Sequence, residues 1–250
     1  MYDLDGTPKE LLTHTNPKVL KGEKLGYATA IMHLSPHKAS GVMNVCSHAS
    51  PGCIDACLNT AGHGGMGLDA DGLNKVQAAR IRRTRFFKTH KAEFMEMLIK
   101  EISNHVARSI KTGRIPAVRL NGTSDLPWEN IKVGDAANIM ELFPNVQFYD
   151  YTKVPVKLRR KVKDVANYSL SFSLSEENDS HAKEAIEAGL NLVVVFATRR
   201  NHDLPKTFWG APVLDGDSTD LRFLDPSGLI IGLRAKGKGI HDKSGFVRQP

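Results

Sequence analysis

Every cysteine of the chain lies in one stretch, NVCSHASPGCIDACLNTAGHGG (44–65), as Cys46, Cys53 and Cys57. Six residues separate the first two and three separate the last two. Cys53 and Cys57 are four apart, so one helical turn carries both thiols on one face. Pro51-Gly52 just before them reads as a tight turn that lets Cys46 fold back. Three converging thiolates can hold an iron–sulfur cluster, hold a zinc ion, or stay unliganded. Structural zinc takes four protein ligands, and the fourth would be His33, His37, His48 or His63. None of these stands at a paired spacing such as C-x2-C. Three Cys on a [4Fe-4S] cluster leave one iron open to a small ligand, which suits a reactive cluster better than an electron carrier. An odd cysteine count argues against a disulfide framework.

The surrounding pattern must position this loop. LGYATAIMHL (25–34) reads as a first strand, ended by Ser35-Pro36. After the cysteines, Gly62, Gly64, Gly65 and Gly67 keep the chain loop-like. From about Asp71 the pattern turns helical, and Phe94, Leu98, Ile102, Val106 and Ile110 recur every four residues. Gly113 and Pro116 end that helix. AVRLNG (117–122) is a second strand. A short helix over 135–142 follows, then VQFYDY (146–151), a helical stretch over 155–166, and YSLSFSLS (168–175). A helix over 179–188 leads to LNLVVVF (190–196), and a loop-rich region, 198–227, leads to LIIGLRAK (229–236). Alternating strands and helices predict an α/β fold with a parallel sheet of about six strands. An open doubly wound sheet and a complete or partial barrel both fit. The expected division is an irregular lead-in (1–26), one α/β domain (27–236) and an exposed C-terminal tail (237–250).

In either architecture chemistry belongs at the carboxyl ends of the strands. The cysteine loop follows the first strand. NGTSD follows the second: Asn121, Gly122, Thr123, Ser124 and Asp125. Asp150, Tyr151 and Lys153 follow the third and are substrate candidates. Ser173, Ser175 and Glu176 follow the fourth, and RAKGKG (234–239) follows the last. This placement favours the cluster among the three readings of the thiols. NGTSD also reads as a polar turn, Asp150 to Lys153 as a strand-end ion pair, and Glu176 with Glu177 as the acidic start of a helix. Trp128 and Trp209 read as packing residues. DGDSTD (215–220) lacks the spacing of a calcium loop and reads as solvated. The glycine-rich stretch lacks the Lys-Ser/Thr of a phosphate-binding loop.

Across 250 residues, 34 Lys and Arg against 27 Asp and Glu leave a net charge of +7. That balance favours a nucleic acid or another anion as partner, and otherwise marks a basic solvated surface. RIRRTRFFK (80–88) and KLRRKVK (157–163) concentrate it, and a partner-binding role expects Arg80, Arg82, Arg83 and Arg85 on one exposed patch. No apolar run reaches membrane-spanning length. The N-terminal stretch has no apolar core like that of a signal peptide. Both point to an intracellular protein.

Several stretches together resemble an uncharacterised phage protein family, gene product 88. They are CSHASPGCIDACLNTAGHGG, QAARIRRTRFF, VRLNGTSDLPWE, FPNVQFYDYTK and LRFLDPSGLIIGLRAKGKG. A phage origin implies the host cytoplasm. More distantly, three cysteines after the first strand of a six-stranded βα series are similar to radical S-adenosylmethionine (SAM) enzymes. That resemblance implies a partial parallel (β/α)6 barrel and a [4Fe-4S] cluster on Cys46, Cys53 and Cys57. It implies SAM bound to the open iron and cleaved by one electron to a radical that abstracts hydrogen from a substrate. A reductant is then required. Asn121 to Asp125 stand where that superfamily contacts the SAM amino group, and Ser173, Ser175 and Glu176 where it contacts the ribose. The backbone over 233–235 stands near the adenine. The superfamily's usual C-x3-C-x2-C is C-x6-C-x3-C here, Ala56 replaces the aromatic before the last Cys, and Asp125 stands for a Glu. The alternatives are a non-catalytic iron–sulfur or zinc protein that binds a nucleic acid or protein partner, and a redox sensor.

Overall fold

A computed structural model of the protein describes residues 2–15 and 17–250. In chain order its elements are β1 (Leu12–Thr13), α1 (Pro17–Glu23), β2 (Tyr27–Met32), α2 (Pro51–Asp55), α3 (Lys75–Thr89), α4 (Lys91–Lys111), β3 (Ile115–Arg119), α5 (Ile139–Leu142), β4 (Gln147–Thr152), β5 (Tyr168–Ser173), α6 (Asp179–Glu187), β6 (Asn191–Phe196), β7 (Thr207–Phe208), β8 (Ala211–Asp215) and β9 (Ile230–Arg234). They form an α/β fold around one nine-stranded, mostly parallel sheet, ordered β1-β2-β3-β4-β5-β6-β9-β8-β7.

The six strands read from the sequence are β2, β3, β4, β5, β6 and β9, and each is parallel to the next. Across these six strands the winding keeps one direction, and only β7 and β8, beyond β9, lead back to it. A doubly wound sheet needs a reversal of winding, and with it helices on both faces. Here α3, α4, α5 and α6 lie on one face. On that face Phe86, Phe94, Leu98 and Ile102 of α3 and α4 pack on Ala30, Met32, Val118, Phe148 and Leu170. Ala182 and Ala185 of α6 pack on Phe172, Leu192, Val194 and Phe196. Alternate strand residues therefore face the other way, because side chains in a strand switch faces at each step.

Four sequence expectations change. The helical pattern from Asp71 is two helices broken at His90, and α3 begins later, where Asn74 caps it by accepting from the Gln77 amide at 2.9 Å. The four-residue stripe also drifts. Each four-residue step overshoots a turn by about 40°, so the stripe buries Phe94, Leu98 and Ile102 and then passes to His105 and Ser109. Ile110, at its end, is 70% exposed. The helix expected over 135–142 shrinks to α5, and the stretch over 155–166 is two short 3-10 turns. Between those turns Arg159 directs its guanidinium inward, 3% exposed.

The expected flanking segments belong to the fold. The lead-in contributes β1, antiparallel to β2, and α1, which packs against β2; its Met1 and Asn16 lie outside the described residues. The region 198–227 contributes the hairpin β7–β8, and β8 runs parallel to β9. The C-terminal segment folds back: Arg248 bridges to Phe196, its amide donates to Val195 O at 2.8 Å, and Val247 is buried.

Candidate functional site

The sheet face opposite the helices is layered. At the amino ends of its strands Ala117, Tyr149 and Leu221 form a small apolar plug with Tyr27 and Phe223. Above it lies a polar floor. Arg119 donates to Asp220 Oδ2 at 2.9 Å and sits 4.5 Å over the Tyr151 ring. Tyr151 donates to Asp220 Oδ1 at 3.4 Å. At the carboxyl ends opens a cavity of about 300 Å³. It is lined by all three cysteines, residues 121–125, Tyr151, Lys153, Ser173, Leu233 and Arg234.

The cysteine loop is held from several sides. Ser50 caps α2 by accepting from the Cys53 amide at 3.3 Å, and Pro51 starts the helix. Glu176 accepts from the Gly52 amide at 2.6 Å and from the Ser50 hydroxyl at 2.7 Å. A carboxylate at those orphan amides makes strong, charge-assisted bonds. Gly52 is required by close approach: a Cβ there would meet Ser244 Oγ at 2.0 Å and Phe246 Cβ at 2.7 Å. The C-terminal segment thus clamps the loop, and Phe246 and Val247 also line the cavity.

Cys46, Cys53 and Cys57 are half-buried and unbridged. Burial pushes Cys46 up to about 12, and the charges of Asp125, Cys57 and Cys53 add to it, while the His37 amide donated to its sulfur works the other way. Burial also raises Cys57, with Cys53 adding to it, against the Asn59 amide and the charges of Arg80 and Lys153. The thiols therefore lie close enough to feel one another. Among the described residues no group of three or more His, Cys, Asp or Glu side chains is arranged to grip a single metal ion.

The residues expected to hold a cofactor divide into two sets. Asn121, Gly122, Thr123, Ser124 and Asp125 line the cavity, and so does Ser173. Ser175 and Glu176 do not: Ser175 is buried, its carbonyl accepting from Arg248 at 2.8 Å, and Glu176 holds the cysteine loop. Even within 121–125 the polar side chains are largely engaged elsewhere. The Asn121 amide donates to Leu126 O and Asp150, and accepts from Ser124, the Leu126 amide and Trp128 Nε1. Asp125 accepts from the Lys153 amide at 2.7 Å and pairs with Arg159 at 3.4 Å.

The substrate candidates divide likewise. Tyr151 and Lys153 line the cavity, and Lys153 donates to Ser173 Oγ at 2.7 Å. Asp150 points to the helix side, where it accepts from the Asn121 amide at 2.7 Å and the Tyr168 hydroxyl at 3.0 Å. Burial raises it to about 7, against Arg119, the Asn121 amide, Tyr168 and Arg159. It belongs to a buried network completed by Arg159 and Glu129, which pair at 2.6 Å and 2.9 Å.

The structure adds residues that sequence reasoning passed over. Arg119, Asp217, Thr219 and Asp220 all line the cavity. Arg119 is 6% exposed and its Nε has no hydrogen-bond partner. An arginine ending the buried run AVR was its signal. DGDSTD reads as solvated in the sequence, yet its Asp217 and Asp220 reach the site. The arginines of 80–88 do not form one exposed patch. Arg83 is 7% exposed and donates to Glu10 O, Arg80 donates to Asn59, and Arg82 and Arg85 pair with Asp3 and Asp5.

The fold and cavity define an α/β protein with a mostly parallel sheet and a thiol-rich site at its strand ends. The chain belongs to the gene product 88 family, whose family model matches residues 10–250. Comparison with curated proteins and with solved structures gives no match. No helix among the described residues is long and apolar enough to cross a membrane.

Proposed function

We propose that Cys46, Cys53 and Cys57 hold a [4Fe-4S] cluster and that the cavity beneath them is the chamber of a radical SAM-type enzyme. The observation that carries this reading is the convergence of all three thiols on one cavity at the carboxyl ends of singly wound parallel strands. That winding is the one a partial (β/α)6 barrel requires. Burial raises the Cys46 and Cys57 thiols against the backbone amides directed at their sulfurs, so the thiolates that bind metal would form with the positive charge of the metal itself. When bound, such a cluster supplies one-electron chemistry at an iron free for the amine and carboxylate of SAM, given an external one-electron reductant.

Two alternatives are weaker on the same observations. A nucleophilic or sensing thiol needs a depressed pKa, whereas burial raises Cys46 and Cys57. Tetrahedral zinc, with Zn–S near 2.3 Å, draws its sulfurs to about 3.8 Å of one another. Among the described residues no group of ligands stands gathered for it.

The chain's own groups have separable roles around the cavity. Glu176 and Ser50 orient the loop, and Ser173 and Lys153 offer polar contacts beside Cys57. Arg119 presents an unpartnered Nε at the floor. A volume of about 300 Å³ lies at the small end of ligand sites, which run to about 1,000 Å³. The test is iron and sulfide content after anaerobic reconstitution. About four irons per chain, lost in Cys53→Ala, supports the reading. One zinc and no iron sinks it.

A further inference from the structure

Beside the cavity lies a second recess of about 670 Å³, which shares Lys21, Asp217, Arg234 and Lys236 with it. Its remaining wall includes Thr198, Arg199 and Arg200. Five cationic side chains thus meet there, with Asp217 the one carboxylate in the lining. That carboxylate is already engaged, by Lys236 at 2.7 Å and by the Arg234 guanidinium at 3.1 Å. Arg234 also pairs with Asp215 at 2.9 Å. Arg199 and Arg200 are exposed and have no ion pair among the described residues. An independent observation points the same way. Thr198 is 7% exposed, yet its hydroxyl has no hydrogen-bond partner. A buried hydroxyl without a partner is costly unless a ligand satisfies it.

From this we infer that the substrate carries a phosphate ester, seated in the recess while its reacting part occupies the cavity. The inference rests on reading the cavity as a substrate chamber. Phosphate suits the wall because its several oxygens accept from guanidinium forks, an ammonium and a hydroxyl at once. The shared wall of Lys21, Asp217, Arg234 and Lys236 sets the two spaces side by side, within the span of one molecule. The cations that contact the anion are Arg199 and Arg200, with Lys21 beside them donating to the Asp217 carbonyl, and Arg234 with Lys236 engage the Asp217 carboxylate. The +7 charge of the chain is thereby given a specific location, distinct from 80–88.

Phosphate of this kind comes from a free nucleotide or from a nucleic acid strand, and titration of the full chain separates the two. The probes are thymidine, thymidine 5′-monophosphate, inorganic phosphate and a single-stranded DNA 15-mer. The nucleotide is expected to bind about tenfold or more tightly than the nucleoside. Replacing both arginines (Arg199→Gln, Arg200→Gln) removes that preference without moving the melting temperature, since both side chains are exposed. Thr198→Val weakens phosphate binding with the arginines intact. A strand as source shows as a salt slope of several units that falls by about one to two in the double variant; a nucleotide shows a slope near one. The inference is overturned if no probe binds in a phosphate-dependent way, or if the double variant binds phosphate as the parent does. Iron content, measured on the same samples, reports on the cluster separately. Phosphate binding without iron removes the cluster reading alone, and iron without phosphate preference removes this inference alone.

Discussion

Two polar assemblies flank the carboxyl ends of β3 and β4, one on each face of the sheet. On the helix side Asp150, Tyr168, Arg159, Glu129 and Asn121 bond to one another with almost no exposure. On the cavity side three half-buried thiols, Lys153, Ser173 and Arg119 surround open space. The first assembly is closed: its donors and acceptors have partners within the protein, and with two carboxylates to one arginine, burial raises the Asp150 carboxyl to about 7. The second is open, with an unpartnered Arg119 Nε and with burial raising the Cys46 and Cys57 thiols. The two differ by one residue of strand pleat, Asp150 facing one way and Tyr151 the other. A closed network is scaffold, and an open one is a site awaiting a ligand.

Substitutions should separate the two assemblies. The largest effect expected is all-or-none: Cys46→Ala, Cys53→Ala or Cys57→Ala each abolishes iron retention, while the metal-free melting temperature stays near the parent's. A matching collapse of the fold in metal-free protein would place the thiols with the scaffold. Next, Glu129→Ala leaves Arg159 buried without its bidentate partner. A loss of about 3 to 5 kcal/mol in denaturant unfolding is expected, with iron per folded chain unchanged.

The Asp150 carboxyl predicts a pH signature of the closed side. Its ordinary value is 3.8 and its folded value about 7. The folded state therefore binds the proton more tightly, and the contribution is fully present below about pH 4 and lost as pH rises toward 7. The slope reaches about 1.4 kcal/mol per pH unit at its steepest. Asp150→Asn should lack that component, so the difference between parent and variant stability curves carries it and falls between about pH 4 and 7. A difference curve flat with pH would show that Asp150 ionises normally. The smallest effect falls on the link between the assemblies and the loop. Glu176→Gln weakens the bonds to Gly52 and Ser50 by about 1 kcal/mol, read as faster cluster loss under oxygen with little change in initial loading.

Much of the scaffold was legible because parallel strands buried on both faces read as continuous apolar runs, as LVVVF does. The strand ends then followed from the turn residues, and with them Cys46 to Cys57, Asn121 to Asp125, Lys153 and Ser173. Single against double winding was not legible, since it depends on which strand pairs with which. Pleat was the second obstacle. Asp150, Tyr151 and Lys153 are sequence neighbours, and only the side of the sheet separates scaffold from site. The third was long-range capture. Asp220 reaches Arg119 across 101 residues and Glu176 reaches Gly52 across 124, and no local spacing announces either. The arginines of 80–88 failed as a patch for the same reason, each being met by a partner from Asp3, Asp5, Glu10 or Asn59.

The central claim is an open iron held by three thiols over a ligand chamber. Its most direct test is the EPR spectrum of anaerobically reconstituted, dithionite-reduced protein before and after SAM is added. The account predicts the signal of a reduced [4Fe-4S] cluster whose g values shift on adding SAM. A cluster signal that SAM leaves unchanged would contradict the chamber, and protein that takes up no iron would contradict the claim as a whole.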